Sequence, residues 1–355
     1  MKTIKFTGML FFIGLMAAGI SACSPQQNVV KGADASTATV TVQISLPAQD
    51  QLAGSSSEAG LCKENSDECA TEITPTTDSQ KIESTPDMID QEIALDPVVT
   101  PTPVPTLGAD DWQDYPIVPL QVSERAKEIY RDGLAKGNYA ERFSKIGDCQ
   151  NINTYFLALY DDPSAYTLGP DYEYLQGTID YYQGMWSRDS ISVKGGFNVA
   201  NIFNPWFNNK ELCGANESPV DCELRVNQPS VVLVSMEAWW NGDASRYAGY
   251  YRKIVETVID FGAVPILATK ADNLEGNNDI NRAIVEIAHE FDVPVWNFWR
   301  SVQDIPDHGL EDDGFHITHG LNDFSNPVNL KQAWPLRNLT ALEAIDSVRN
   351  ELSQP

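Results

Sequence analysis

The chain has 355 residues, 42% of them apolar, with 24 lysines and arginines against 50 aspartates and glutamates, for a formal charge of −26. That length allows one large or two small domains. So negative a chain, with no basic cluster, excludes a protein that wraps nucleic-acid phosphates and disfavours anionic partners generally.

In chain order, Lys2 and Lys5 precede an apolar stretch from Gly8 to Ile20. That is short of the ~20 residues a membrane-spanning helix needs, so residues 1–22 read as a secretion signal peptide. The stretch ends in Ile20-Ser21-Ala22-Cys23, which resembles the bacterial lipoprotein lipobox. The resemblance implies cleavage before Cys23 and its lipidation, hence a protein at the cell envelope, outside the cytoplasm, that meets the membrane only through acyl chains.

Residues 24–115 carry 3 lysines and 16 acids among many Ser, Thr, Gln and Pro residues. Such a composition cannot bury enough apolar surface to offset the entropy of ordering, so residues 23–115 are expected to form a disordered acidic tether. Thr100-Pro101-Thr102-Pro103-Val104-Pro105 favours an extended polyproline II spacer at its end. As a flexible coil, about 90 residues would reach roughly 55 Å. Val40-Thr41-Val42-Gln43-Ile44 alternates as a strand does, but is too little for a domain.

Residues 116–355 alternate between short apolar runs and amphipathic helices. Strands are expected at Arg142 to Gly147, Ser230 to Ser235, Ala263 to Ala268 and Val293 to Trp296. Tyr250, Tyr251, Ile254, Val255, Val258 and Ile259 recur at helical spacing and stop at Gly262, and Ile284, Val285, Ile287 and Ala288 do the same before Asp292. Strand, helix, strand, helix, strand with short joints predicts a single α/β domain with a mostly parallel sheet covered on both faces. Its chemistry belongs where strands end and helices begin.

The first candidate is Gly147-Asp148-Cys149, directly after the first strand. A nucleophile on a strand-to-helix turn is presented at the C-terminal edge of the sheet, where backbone N–H groups can stabilise an oxyanion. The second is Asp313-Gly314-Phe315-His316, in which the carboxylate can orient the imidazole as a general base. An extracytoplasmic compartment permits disulfides. With Cys23 lipidated, Cys62 with Cys69 and Cys213 with Cys222 can close short loops, leaving Cys149 as a spare thiol. Asp313, His316 and His319, with His308 nearby, offer metal-ligand chemistry as an alternative, although the spacing fits no common metal signature. No metal or cofactor is therefore expected.

The turn after the first strand, a glycine in the next segment and a terminal Asp-x-x-His on an alternating chain resemble the SGNH, or GDSL-type, hydrolases. The likeness covers roughly residues 140–320 and continues through Cys213, Pro219, Cys222, Glu223 and Arg225, which are similar to an extracellular bacterial subgroup. It implies a three-layer α/β/α, flavodoxin-like domain over 116–355. Cys149 then stands in place of the nucleophilic Ser, with His316 as base, Asp313 as its orienting partner, and the backbone of Gly196 and Cys149 as oxyanion donors. The chain departs from the family's Gly-x-Asn-Asp segment, where Glu237 replaces the Gly and Trp239 the oxyanion Asn. Losing one such donor typically costs on the order of 3 to 4 kcal/mol of transition-state stabilisation. Asn241 lies two positions downstream of the gap.

Two functions follow from this reading. One is a lipid-anchored extracellular esterase of altered site, acting on a small ester or on O-acyl groups of glycans. The alternative is a catalytically inactive module of the same fold, a pseudoenzyme that binds carbohydrate or another envelope component, with Trp239, Trp240 and Asn241 as its platform. The other tryptophans, including Trp186, Trp206, Trp296, Trp299 and Trp334, are assigned mostly to the core. A monomer is expected in either case.

Overall fold

The computed structural model describes residues 107–354 apart from Ala109, Trp240 and Asn241. The signal peptide, Cys23, the possible strand at 40–44 and the Cys62–Cys69 pair lie outside the described residues.

Folding starts ahead of residue 116. A short helix α1 (Asp111–Asp114) places Trp112, 3% exposed, against Trp299 with ring centroids 4.6 Å apart. Helix α2 (Glu124–Lys136) opens where the Ser123 hydroxyl accepts the Ala126 N–H at 3.0 Å and closes on Gly137 in the left-handed region. It leads into β1 (Tyr139–Gly147), followed by α3 (Gln176–Tyr181), α4 (Pro219–Asn227) and β2 (Pro229–Ser235). Then come α5 (Ala244–Phe261), β3 (Val264–Ala268), α6 (Asp279–Phe291), β4 (Val295–Trp296), α7 (Phe298–Val302) and α8 (Ala333–Leu352). All four expected strands form, with ends shifted by up to three residues.

The four strands form an all-parallel sheet in the order β1-β2-β3-β4. β2 and β3 are buried along their whole length, as continuous apolar runs in parallel sheets are. Helix α4 packs on α5 and α5 on α6, while α8 gathers α3 and α7, an arrangement compatible with helices on both faces. A single parallel bridge joins Gly147 to Val193, although Gly147 already pairs with Ser235 of β2. Residue 193 therefore lies on the outer side of β1. The chain leaves β1 for that edge and returns across the sheet to β2, which makes β1 a point where strand order reverses, the position at which open α/β sheets generally bind ligands.

Two features of the fold bear on stability. Lys145 of β1 is 2% exposed, its ammonium donating to Asn153 Oδ1 at 2.6 Å and to the Phe156 carbonyl at 3.4 Å. Burial, reinforced by the nearby Arg188 guanidinium, lowers its pKa to about 7. Cys213 and Cys222 form a disulfide with 5.4 Å between Cα atoms, tying the preceding loop to α4. The bridged residues are nine apart, and the chain-entropy model assigns so short a loop about 2–3 kcal/mol. Replacing both cysteines with Ser is expected to lower the unfolding free energy by that amount, read from urea denaturation; an unchanged midpoint would show the crosslink to be thermodynamically idle.

Among the described residues, no helix is long and apolar enough to cross a membrane.

Candidate functional site

The site is assembled around the C-terminal end of β1. Gly147 must be glycine, because a Cβ there would sit 2.3 Å from the Asn151 carboxamide. That buried amide in turn donates to the Ser235 carbonyl at the end of β2, 2.8 Å away. Asp148 follows in extended conformation and its carboxylate accepts the Gln150 N–H at 3.0 Å, starting a 3-10 turn over Cys149–Asn151. The other carboxylate oxygen accepts the N–H groups of Glu237 and Ala238, each at 2.6 Å. Asp148 thus pins the loop after β2 to the turn after β1. Complete burial raises its pKa, with these three N–H donors opposing the shift.

The remaining segments are drawn to the same rim by backbone pairing. Gly147 N–H donates to the Ser192 carbonyl at 3.0 Å, which brings up the loop carrying Gly195 and Gly196. A Cβ on Gly195 would lie 3.9 Å from Cys149 Cβ, and Gly196 has φ +89°. From the C-terminal side, Gln150 Nε2 donates to the Phe315 carbonyl at 3.2 Å, linking the residue after Cys149 to the residue before His316. Sequence-distant Gly147-Asp148-Cys149, Gly195-Gly196, Glu237-Ala238 and Asp313-x-x-His316 are therefore neighbours at one edge of the sheet.

Asp313 and His316 make the pair anticipated from their spacing. Asp313 Oδ2 lies 2.5 Å from His316 Nδ1, and its Oδ1 accepts the N–H groups of Phe315 and His316, each at 2.9 Å. Led by the bond to His316, these contacts hold the Asp313 carboxyl down at about 2. The aspartate stays ionised and fixes one face of the imidazole.

Two expectations change at this rim. Cys149 is 8% exposed and disulfide-bonded, so the spare thiol is not spare. Pairing along the sequence had left it alone, but disulfides follow proximity in the fold. Trp239 is also 8% exposed and belongs to the core rather than to a platform. Its indole N–H donates to the Asp243 carbonyl at 3.1 Å, and its ring meets Tyr247 and Tyr250 edge-on. Trp240 and Asn241 lie outside the described residues. Of the other histidines near the C-terminal segment, His308 Nδ1 lies 3.2 Å from the Gln303 carbonyl, and His319 stacks near Trp334 and Tyr155. The one ligand-like grouping found among the described residues, Cys213, Glu217 and Cys222, has both sulfurs spent on each other.

Sequence reasoning missed the charges beneath the rim. Glu237 is buried and faces Arg337 of α8 at 2.5 Å, while the Ser235 hydroxyl donates to the same carboxylate oxygen at 2.9 Å. The Arg337 guanidinium, itself fully buried, lies over the rings of Phe156, Phe298 and Trp296 at 4.8, 4.9 and 5.2 Å. A second buried group, Lys270 with Asp272 at 2.6 Å and Glu275 at 2.8 Å, follows β3. Burial raises Asp272 to about 6 even beside the lysine. One signal was available: an acid two residues beyond a wholly buried strand needs a cation from somewhere.

Searches against protein-family models and curated proteins find no match to this chain.

Proposed function

We propose that the domain is an SGNH-type hydrolase fold, presented at the bacterial cell envelope by a lipidated Cys23 and the 23–115 tether, that binds a glycan or another envelope component without hydrolysing it. Counting the Val193 bridge as a vestigial outer strand gives the strand order of flavodoxin-like sheets, which supports the fold reading. The observation that carries the functional reading is the disulfide at Cys149, because a sulfur in a disulfide is not a thiolate nucleophile. The two family positions that differ are also committed elsewhere, Glu237 to Arg337 and Trp239 to the core.

A second reading is favoured by one observation, the Asp313–His316 pair with its ionised carboxylate. In that reading a dithiol first reduces the Cys149 disulfide. The Cys149 sulfur then attacks an ester carbonyl while His316 takes the thiol proton and returns it to the departing alkoxide, and water hydrolyses the resulting thioester.

The two readings separate in one assay. Turnover of p-nitrophenyl acetate by the intact protein is expected to equal that of Cys149→Ala, with or without dithiothreitol. Turnover that appears only with the dithiol and disappears in both Cys149→Ala and His316→Ala would replace the binding reading with the hydrolytic one.

A further inference from the structure

Within the binding reading, on which this inference rests, the structure points to a surface other than the one the sequence suggested. Trp206 is 80% exposed, with Phe207 and Leu212 partly exposed on the same loop. Among the described residues no ring stacks on it. The loop that carries it is nonetheless fully built. Asn204 caps a 3-10 turn over Pro205–Phe207 by accepting the Trp206 N–H at 3.0 Å, and Lys210 Nζ donates to the Pro205 carbonyl at 2.8 Å. The buried Asn208 amide donates to the Gly214 and Glu217 carbonyls, and Arg225 Nη2 donates to the Leu212 carbonyl at 2.9 Å. The Cys213–Cys222 disulfide fastens the end of the loop to α4. An indole presented to water on so braced a support requires little further ordering to bind a flat partner.

We infer that Trp206 is a stacking platform for a pyranose ring of a neutral glycan. Phe207 packs edge-on against Phe197, ring centroids 6.3 Å apart, and Phe197 directly follows Gly196. The platform thus borders the loop beside Cys149, and a glycan chain lying across that rim would reach it. Size and charge select the occupant. One tryptophan with its flanks covers on the order of a few hundred Å², against the ~800 Å² each partner contributes to a stable protein interface. A lipid surface fits poorly, because Asn204, Asn209, Lys210 and Glu211 interrupt the apolar residues and the chain carries −26 overall. The same charge repels acidic polysaccharides, whereas the apolar face of a neutral sugar matches an indole ring and its hydroxyls suit the polar residues around it.

The test is calorimetric titration of the intact chain, in detergent, with the neutral tetramer of N-acetylglucosamine and with a neutral glucose tetramer, beside flotation with phosphatidylcholine vesicles. Wild type is expected to bind at least one oligosaccharide, with affinity falling about tenfold or more in Trp206→Ala and less in Trp206→Phe, which keeps a ring. Wild-type affinity retained in Trp206→Ala would overturn the platform while leaving the binding reading intact. Absence of binding to both tetramers by wild type would overturn the neutral-glycan platform, whereas the binding reading itself falls only if dithiol-dependent turnover requiring Cys149 and His316 is found. Vesicle binding that depends on Trp206 would reassign the surface to lipid and overturn the glycan inference.

Discussion

Arg337→Met is expected to lower the unfolding free energy by about 3–5 kcal/mol at pH 8, the largest single-site loss anticipated in the domain. Met keeps much of the volume between Phe156, Trp296 and Phe298, so the effect is chiefly electrostatic. Glu237 would lose its counter-charge while remaining buried, and Asp148 would lose an attraction that now offsets part of its desolvation. Burial already raises the Glu237 carboxyl above the ordinary range despite Arg337. In the variant Glu237 can escape by taking up a proton, and that escape becomes costlier as pH rises. The deficit should therefore shrink towards pH 5 and grow towards pH 8. Arg337→Met combined with Glu237→Gln removes the stranded charge and should recover most of the loss. Urea unfolding of the four proteins of this cycle measures the coupling directly. A single variant within about 1 kcal/mol of wild type would show that Glu237 is neutral in the native protein.

The second large effect is a pH slope set by Lys145. Its folded-state pKa of about 7 lies well below that of an unfolded lysine, ~10.4. Between those values the unfolded chain holds a proton the folded chain has released, so stability rises with pH. At pH 7 this lysine therefore weighs against folding, and the burden lifts as pH climbs. Relative to Lys145→Met, wild type should gain on the order of 3 kcal/mol between pH 7 and pH 10. Comparing the two proteins cancels most of the background from the buried tyrosines, whose raised pKa values act in the opposite direction at the alkaline end. A flat difference across that range would mean that Lys145 keeps its proton when folded.

Much of the architecture was legible because local periodicity reports it. The apolar runs at 230–235 and 263–268 could only be buried strands, and Gly262 stops α5 where its stripe ends. Helix α8 escaped because its buried positions, from Trp334 through Arg337, Asn338, Leu342 and Ile345 to Val348, run around the helix and leave no one-sided stripe. The outer bridge at Val193 is a single residue and has no periodicity to detect. At the site, motif spacing correctly joined Asp313 to His316 and drew attention to the Cys149 turn. It could not reveal that Arg337 answers Glu237 from a hundred residues away, nor that Cys149 is bonded, since both depend on which distant segments the fold brings together. Trp206 was not singled out for a simpler reason: composition places most large rings in cores, and one ring on a disulfide-braced loop is an exception that no average predicts.

The constraint at Gly147 changes what the first letter of its motif signifies. The glycine there makes room for Asn151, whose amide joins the ends of two strands. That demand is architectural and persists whether or not any bond is ever cleaved nearby. Selection for a foldable sheet is enough to retain it, so the glycine by itself says nothing about whether any reaction takes place at this rim.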